Sequence, residues 1–271
     1  MSKPLLHFSH GNSFPAGTYR RFLGQLDGEY DIRAVDMHGH DPAFLVSDGW
    51  PGLVAELIGR LETYRAPAIL VGHSLGGMLS LMAARQRPEL VRCVVMLDSP
   101  VVAGWRAALL RVAKAQGWGK RWSPARLSEN RRNIWPDRQA AFDHFQAKPL
   151  FAAWAPGVLA DYIEHGLKPH PQGVQLSFSR DVETAIYRGL PHHIGSLMRG
   201  TFPVPAGFIG GTDSTELKQA GLGATRRLVG ANFTEIEGGH LFPMESPELA
   251  ARLTREMLSR LLPGAKNEDR G

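Results

Sequence analysis

A serine sits between glycines in Gly72-His73-Ser74-Leu75-Gly76-Gly77, directly after the apolar run 68–71 and ahead of a stretch with helical period. Glycine on both sides permits a tight strand-to-helix turn that lifts a hydroxyl clear of the backbone. The helix that starts there offers its free N–H groups and the positive end of its dipole to a developing anion. The chemistry this arrangement serves is nucleophilic attack. The alternative is a glycine-rich turn whose serine only caps the helix.

A serine hydroxyl is a weak nucleophile at neutral pH and needs a base. His240, in Gly238-Gly239-His240, follows a late apolar run and precedes the final helix, so it is the candidate base among eleven histidines. An acid must fix its tautomer and stabilise the imidazolium. Asp213, in Gly210-Gly211-Thr212-Asp213, is the first choice, although it could instead cap the helix beginning at Ser214-Thr215-Glu216. Asp98, in Leu97-Asp98-Ser99-Pro100, is the alternative acid. Two backbone donors complete the chemistry as an oxyanion hole: Leu75 N–H, next to the nucleophile, and Asn12 N–H, in the loop His10-Gly11-Asn12-Ser13. His73 lies within the turn and should point away from the site if Ser74 points toward it. His38 and His40 hint at a metal, but no third ligand stands at a matching spacing, and neither a metal nor a cofactor is expected.

These residues need a sheet to bring them together. Short apolar runs at 5–8, 32–37, 68–71 and 93–97 alternate with segments of helical length at 18–26, 50–64 and 75–87. The alternation resumes with strands at 204–209 and 232–236, a helix over 215–229 and a last helix opening at Ser246-Pro247-Glu248. Strands that are apolar on both faces and separated by helices describe a parallel sheet covered on both sides. Between 101 and 199 the strand signals fade, and Trp105, Trp118, Trp122, Trp135 and Trp154 fall within helical pieces. This middle third reads as a mostly helical cap inserted into a core made of 1–100 and 200–271. Its tryptophans, with Phe142, Phe145 and Phe151, either line an apolar acyl or aryl site or form the cap's own core. The tail 266–271 should fray.

The strand followed by His10-Gly11-Asn12, the turn around Ser74, and the order Ser74, Asp213, His240 resemble the α/β-hydrolase superfamily, in its capped esterase and lipase-like branch. The resemblance covers 1–100 and 200–265 and extends to 36–40 and to Glu245-Ser246-Pro247. It implies an α/β-hydrolase fold, a mostly parallel sheet flanked by helices. The first strand begins within five residues of Met1, so about six strands are expected rather than eight. It also implies a serine hydrolase that cleaves carboxylic esters through an acyl-enzyme on Ser74. Carbon–carbon hydrolase, thioesterase, amidase and perhydrolase chemistry remain alternatives on the same residues, as does a receptor-like protein with little turnover. Serine at 74 argues against the relatives that use an aspartate nucleophile.

Bulk properties bound the rest. The chain has 271 residues, 43% of them hydrophobic and 21% charged, the balance of an ordinary globular protein. Cys93 is the single cysteine, which excludes an internal disulfide and fits a reducing, cytoplasmic setting. No secretory signal and no integral membrane segment is expected. The net charge is +5, and residues 101–195 carry thirteen Lys/Arg against seven Asp/Glu. The positives are scattered, which favours a solvated basic surface over a nucleic-acid site. The expected partner is a small ester, and a homodimer is left open.

Overall fold

Six of the apolar runs pair into one parallel sheet. In the computed structural model, which describes residues 3–116 and 124–263, the strands are β1 (Leu5–Ser9), β2 (Asp31–Ala34), β3 (Ala68–His73), β4 (Val91–Leu97), β8 (Ala206–Gly211) and β9 (Phe233–Ile236). Their spatial order is β2-β1-β3-β4-β8-β9, and every pairing is parallel. This is an α/β-hydrolase fold with the expected strand number. Alternate residues feed opposite faces. Ile69, Val71, Cys93, Val95 and Leu97 join one core with Phe22, Met257 and Leu258, whereas Leu70, Val94 and Met96 join the other with Leu53, Leu79 and Met82. Each such buried aliphatic side chain contributes about 1.5–3 kcal/mol.

The helices that cover the sheet are α1 (Arg20–Gly24), α2 (Pro51–Glu62), α3 (Leu75–Gln86), α11 (Thr215–Ala220), α12 (Gly223–Val229), α13 (Phe242–Glu245) and α14 (Pro247–Leu261). The single helix expected over 215–229 is two, because Gly221 adopts φ +73° between them. The segment expected at 18–26 begins as a 3-10 turn, Ala16–Tyr19, and only then becomes α1.

Between β4 and β8 lie α4 (Gly104–Ala115), α5 (Pro124–Asn130), α6 (Arg138–Gln146), α7 (Pro149–Ala152), α8 (Val158–His165), α9 (Arg180–Arg188) and α10 (Ile194–Leu197). Three short strands interrupt these helices: β5 (Ile134–Trp135), β6 (Leu167–His170) and β7 (Gly173–Leu176), which form an antiparallel sheet in the order β5-β7-β6. The fading strand signal misses this sheet, because strands of two and four residues carrying Lys168, Pro169 and His170 have no apolar run to read. Trp135, Phe145, Phe151, Trp154 and Tyr162 are buried and pack on one another with centroid separations such as 4.6 Å for Phe151–Trp154 and 5.2 Å for Phe145–Tyr162. They belong to the same core as Phe8 and Tyr19 of the main sheet side. These aromatics are therefore structural core. Trp105 is 66% exposed, while Trp118, Trp122 and the tail 266–271 lie outside the described residues.

Candidate active site

The carboxyl ends of β1, β3, β4, β8 and β9 line up on one edge of the sheet, and the loops leaving them carry the candidate residues. Ser74 leaves β3 with φ +51° and ψ −113°, a backbone conformation costly for a side-chain-bearing residue. Its N–H is held by Leu97 O at 2.9 Å. The neighbouring glycines are dictated by close approach. A Cβ on Gly76 would lie 2.0 Å from Ser9 O, and one on Gly72 would lie 2.3 Å from Gly76 C.

His240 Nε2 lies 3.0 Å from Ser74 Oγ, and His240 Nδ1 lies 2.6 Å from Asp98 Oδ2. The two contacts assign the tautomer: Nδ1–H donates to the carboxylate and Nε2 accepts from the serine hydroxyl. Asp98, fully buried, also accepts Gly211 N–H at 2.8 Å and Ser214 Oγ–H at 2.6 Å. The acid against the histidine is therefore Asp98 and not Asp213. This corrects the first choice made from spacing. Asp213 is exposed two residues beyond β8, where its backbone N–H donates to Gly238 O at 2.9 Å. Nor does it cap α11, because Ser214 Oγ accepts Leu217 N–H at 3.2 Å and fills that place. Asp98 reaches the histidine because the chain turns sharply after β4, with Asp98 at φ +47° and its N–H on Ile209 O.

Burial alone would lower the His240 pKa. The hydrogen bond and charge of Asp98 outweigh that and, with Glu216 and Glu245, hold it above its ordinary value. Glu216 Oε2 stands 3.9 Å from His240 Nδ1. Among the described residues, Asp98, Glu216 and His240 form the one three-member cluster with atoms close enough to share an ion. Two of its members are already committed to the contacts above. His38 Nδ1 is instead engaged with Glu56 Oε2 at 3.2 Å, and His40 Nε2 accepts Ser179 N–H at 2.9 Å.

Leu75 directly follows Ser74, and Asn12 lies in the loop after β1, the strand beside β3. Among the described residues neither Asn12 N–H nor Leu75 N–H has a protein acceptor, so both are available. Asn12 is steadied by its side-chain amide, which donates to Glu183 O at 3.2 Å. Ser13, at φ +79°, donates through Oγ to Glu183 Oε1. Glu183 is buried on α9 and paired with Arg131 at 2.8 Å. Burial raises its pKa despite that partner.

A second buried network lies behind these groups. Gly11 N–H donates to Tyr19 Oη at 2.9 Å, Tyr19 Oη–H donates to His73 Nδ1 at 2.7 Å, and His73 Nε2–H donates to His240 O at 2.9 Å. Burial pushes His73 down to about 3, with the nearby His240 ring adding to the effect, so His73 is neutral and can hold both roles. This ties the Asn12 loop, the serine turn and the His240 loop into one unit. Spacing gives no signal for Tyr19 or Glu183. Ser214 is adjacent to the segment singled out for its acid but is legible only as a cap.

Residues 6–253 match the family described as alpha/beta hydrolase family. Over 100 residues the chain is 35% identical to 2-(acetamidomethylene)succinate hydrolase of Mesorhizobium japonicum, and that stretch spans only 36% of each protein. A longer match, 24% identical over 256 residues and covering 92% of this chain and 91% of the relative, is to the pimeloyl-[acyl-carrier protein] methyl ester esterase of Stenotrophomonas maltophilia. Among solved structures, E-2-(acetamidomethylene)succinate hydrolase aligns with a TM-score of 0.76 at 23% identity, covering 95% of this chain and 92% of that one. That last likeness is one of fold.

Proposed function

The chain belongs to the alpha/beta hydrolase family, and from that premise we propose that it is a serine hydrolase cleaving carboxylic esters, with Ser74 as nucleophile, His240 as base and Asp98 as the acid behind it. The observation that carries this is the pair of contacts on one imidazole, 3.0 Å to Ser74 Oγ and 2.6 Å to Asp98 Oδ2. Ser74 Oγ attacks the acyl carbon while its proton passes to His240 Nε2. The imidazolium is stabilised by Asp98, and the tetrahedral oxyanion takes the N–H groups of Asn12 and Leu75, each worth about 10²–10³ in rate. Collapse expels the alcohol, which takes the proton from Nε2 and leaves the acyl group on Ser74. Water then repeats the sequence with His240 as base and frees the acid.

Helix α9, within the segment expected to form the cap, covers this edge at the Asn12 loop, where Asn12 and Ser13 are latched to Glu183. The single buried Cys93 supports a reducing, cytoplasmic setting. Ester chemistry is favoured over thioester, amide or carbon–carbon cleavage by the esterase relative, whose match runs along nearly the whole chain. Of the aromatics read as an apolar acyl or aryl site, Trp135, Trp154, Phe145 and Phe151 are core instead. The test is labelling by a fluorophosphonate probe together with turnover on ester, thioester and amide panels. Ser74→Ala is expected to abolish both labelling and ester turnover. Labelling that survives the substitution would remove Ser74 from the proposal, and turnover confined to thioesters or amides would replace the ester assignment.

A further inference from the structure

Surface helices bury their apolar stripe against the protein and turn charge outward. In α4 the inward side, with Ala107, Leu110 and Ala113, is only half-buried, and a second apolar stripe faces outward. Trp105, Leu109 and Val112 recur at spacings of four and three, so they share one face, and they are 66%, 54% and 43% exposed. No residue of the helix is buried. Near its end the Lys114 ammonium donates to Leu190 O at 2.7 Å and pairs with Asp48. Ala107 and Arg111 border an open cleft of about 1140 Å³ that also touches Met198, Phe202 and Leu228. Neither side of α4 therefore sits in the core.

The apolar stripe has a cationic rim. The Arg106 guanidinium lies 4.5 Å from the Trp105 ring centroid, Arg111 is exposed on the other flank, and the helix sequence GWRAALLRVAKA contains no acidic residue. Scattered exposed apolar residues need no explanation, but a stripe of three bordered by arginine does. A helix with a tryptophan and leucine face, basic flanks and no acid has the composition that lies in the plane of a lipid headgroup layer. The stripe carries one hydrogen-bonding group, the Trp105 indole N–H, which suits the polar boundary of a headgroup layer, and Arg106 and Arg111 on its flanks complement anionic headgroups. We propose that α4 is a peripheral docking helix for an anionic lipid surface. It begins six residues after Asp98, which keeps the docked face near the loop that carries the acid.

Docking requires no catalysis, so its test is independent of the hydrolase reading. Flotation with phosphatidylcholine vesicles, with and without phosphatidylglycerol, reads it directly. The wild-type chain and Ser74→Ala are both expected to float with phosphatidylglycerol vesicles and to be released by salt. The double variant Trp105→Glu/Leu109→Glu is expected to lose on the order of tenfold in partitioning, and Arg111→Gln about fivefold. These residues are exposed, so circular dichroism should be unchanged. Absence of flotation, or flotation unaltered in the double variant, would overturn the proposal. So would a wild-type dimer in light scattering that the double variant dissolves without any vesicle binding, since the face would then be an interface between copies.

Discussion

Asp98 accepts three donors at full burial while Asp213 faces solvent, and the two make opposite predictions. Asp98→Asn should lower kcat on an ester on the order of 10³-fold or more, because the amide presents the wrong group to Nδ1–H and misorients the tautomer. Asp213→Asn should stay within a few-fold in the same assay. Glu216 adds a milder effect. In the proposed mechanism His240 must be neutral to accept the Ser74 proton, and its pKa is raised, so the acid limb of kcat/KM should lie above 6.5. Glu216→Gln removes one of the charges raising it, so that limb should move to lower pH with kcat largely retained. A pH–rate profile of the two proteins checks the direction. Ser74 and His240 were legible because their signals are local: glycines around a serine, and a Gly-Gly-His before a helix. The choice between the two acids was not, since it depends on a left-handed turn at Asp98 and on which strand ends adjoin in the sheet.

At the scale of elements, the β3–α3 turn is built by contacts closer than a methyl group allows. Gly76→Ala would set a Cβ 2.0 Å from Ser9 O, backbone that belongs to the neighbouring strand and cannot yield without parting β1 from β3. Loss of soluble protein or of all activity is expected. Gly24→Ala, in α1 with open space around its Cβ, should instead stabilise by about 0.5–1 kcal/mol in urea unfolding. Both positions are glycine in the sequence, but only the first is required by its neighbours. The same contrast explains what could be read of the elements. The sheet strands announce themselves through unbroken apolar runs, while the β5-β7-β6 sheet and the break at Gly221 are set by tertiary pairing and by one backbone angle.

Across the whole molecule, buried histidines set the response to acid. His7 and His73 are pushed down to about 3 and His10 well below its usual value, in each case mainly by burial. Below 6.5 the unfolded chain takes up protons on these rings that the folded chain refuses, so stability is complete above that pH and falls as pH drops through the interval down to about 3. Each ring costs on the order of 1 kcal/mol at pH 5.5, a few kcal/mol for the three together. His240, with a raised pKa, works in the opposite sense and offsets part of this. A melting temperature roughly 5 °C lower at pH 5.5 than at pH 7.5 is expected, and an unchanged melt would mean these rings are not held neutral.

The hydrogen bond from His73 to His240 O also has a bearing on how the chain is made. Synthesis delivers Gly11, Tyr19, Ser74 and Asp98 early, but the partner for His73 Nε2–H arrives only with residue 240, after the long insertion has been threaded between β4 and β8. Until then the serine turn is built around an imidazole with one side unanswered. On the proposed mechanism turnover therefore waits for the loop after β9 to reach the serine turn, so the first turnover in a refolding reaction timestamps the docking of that loop.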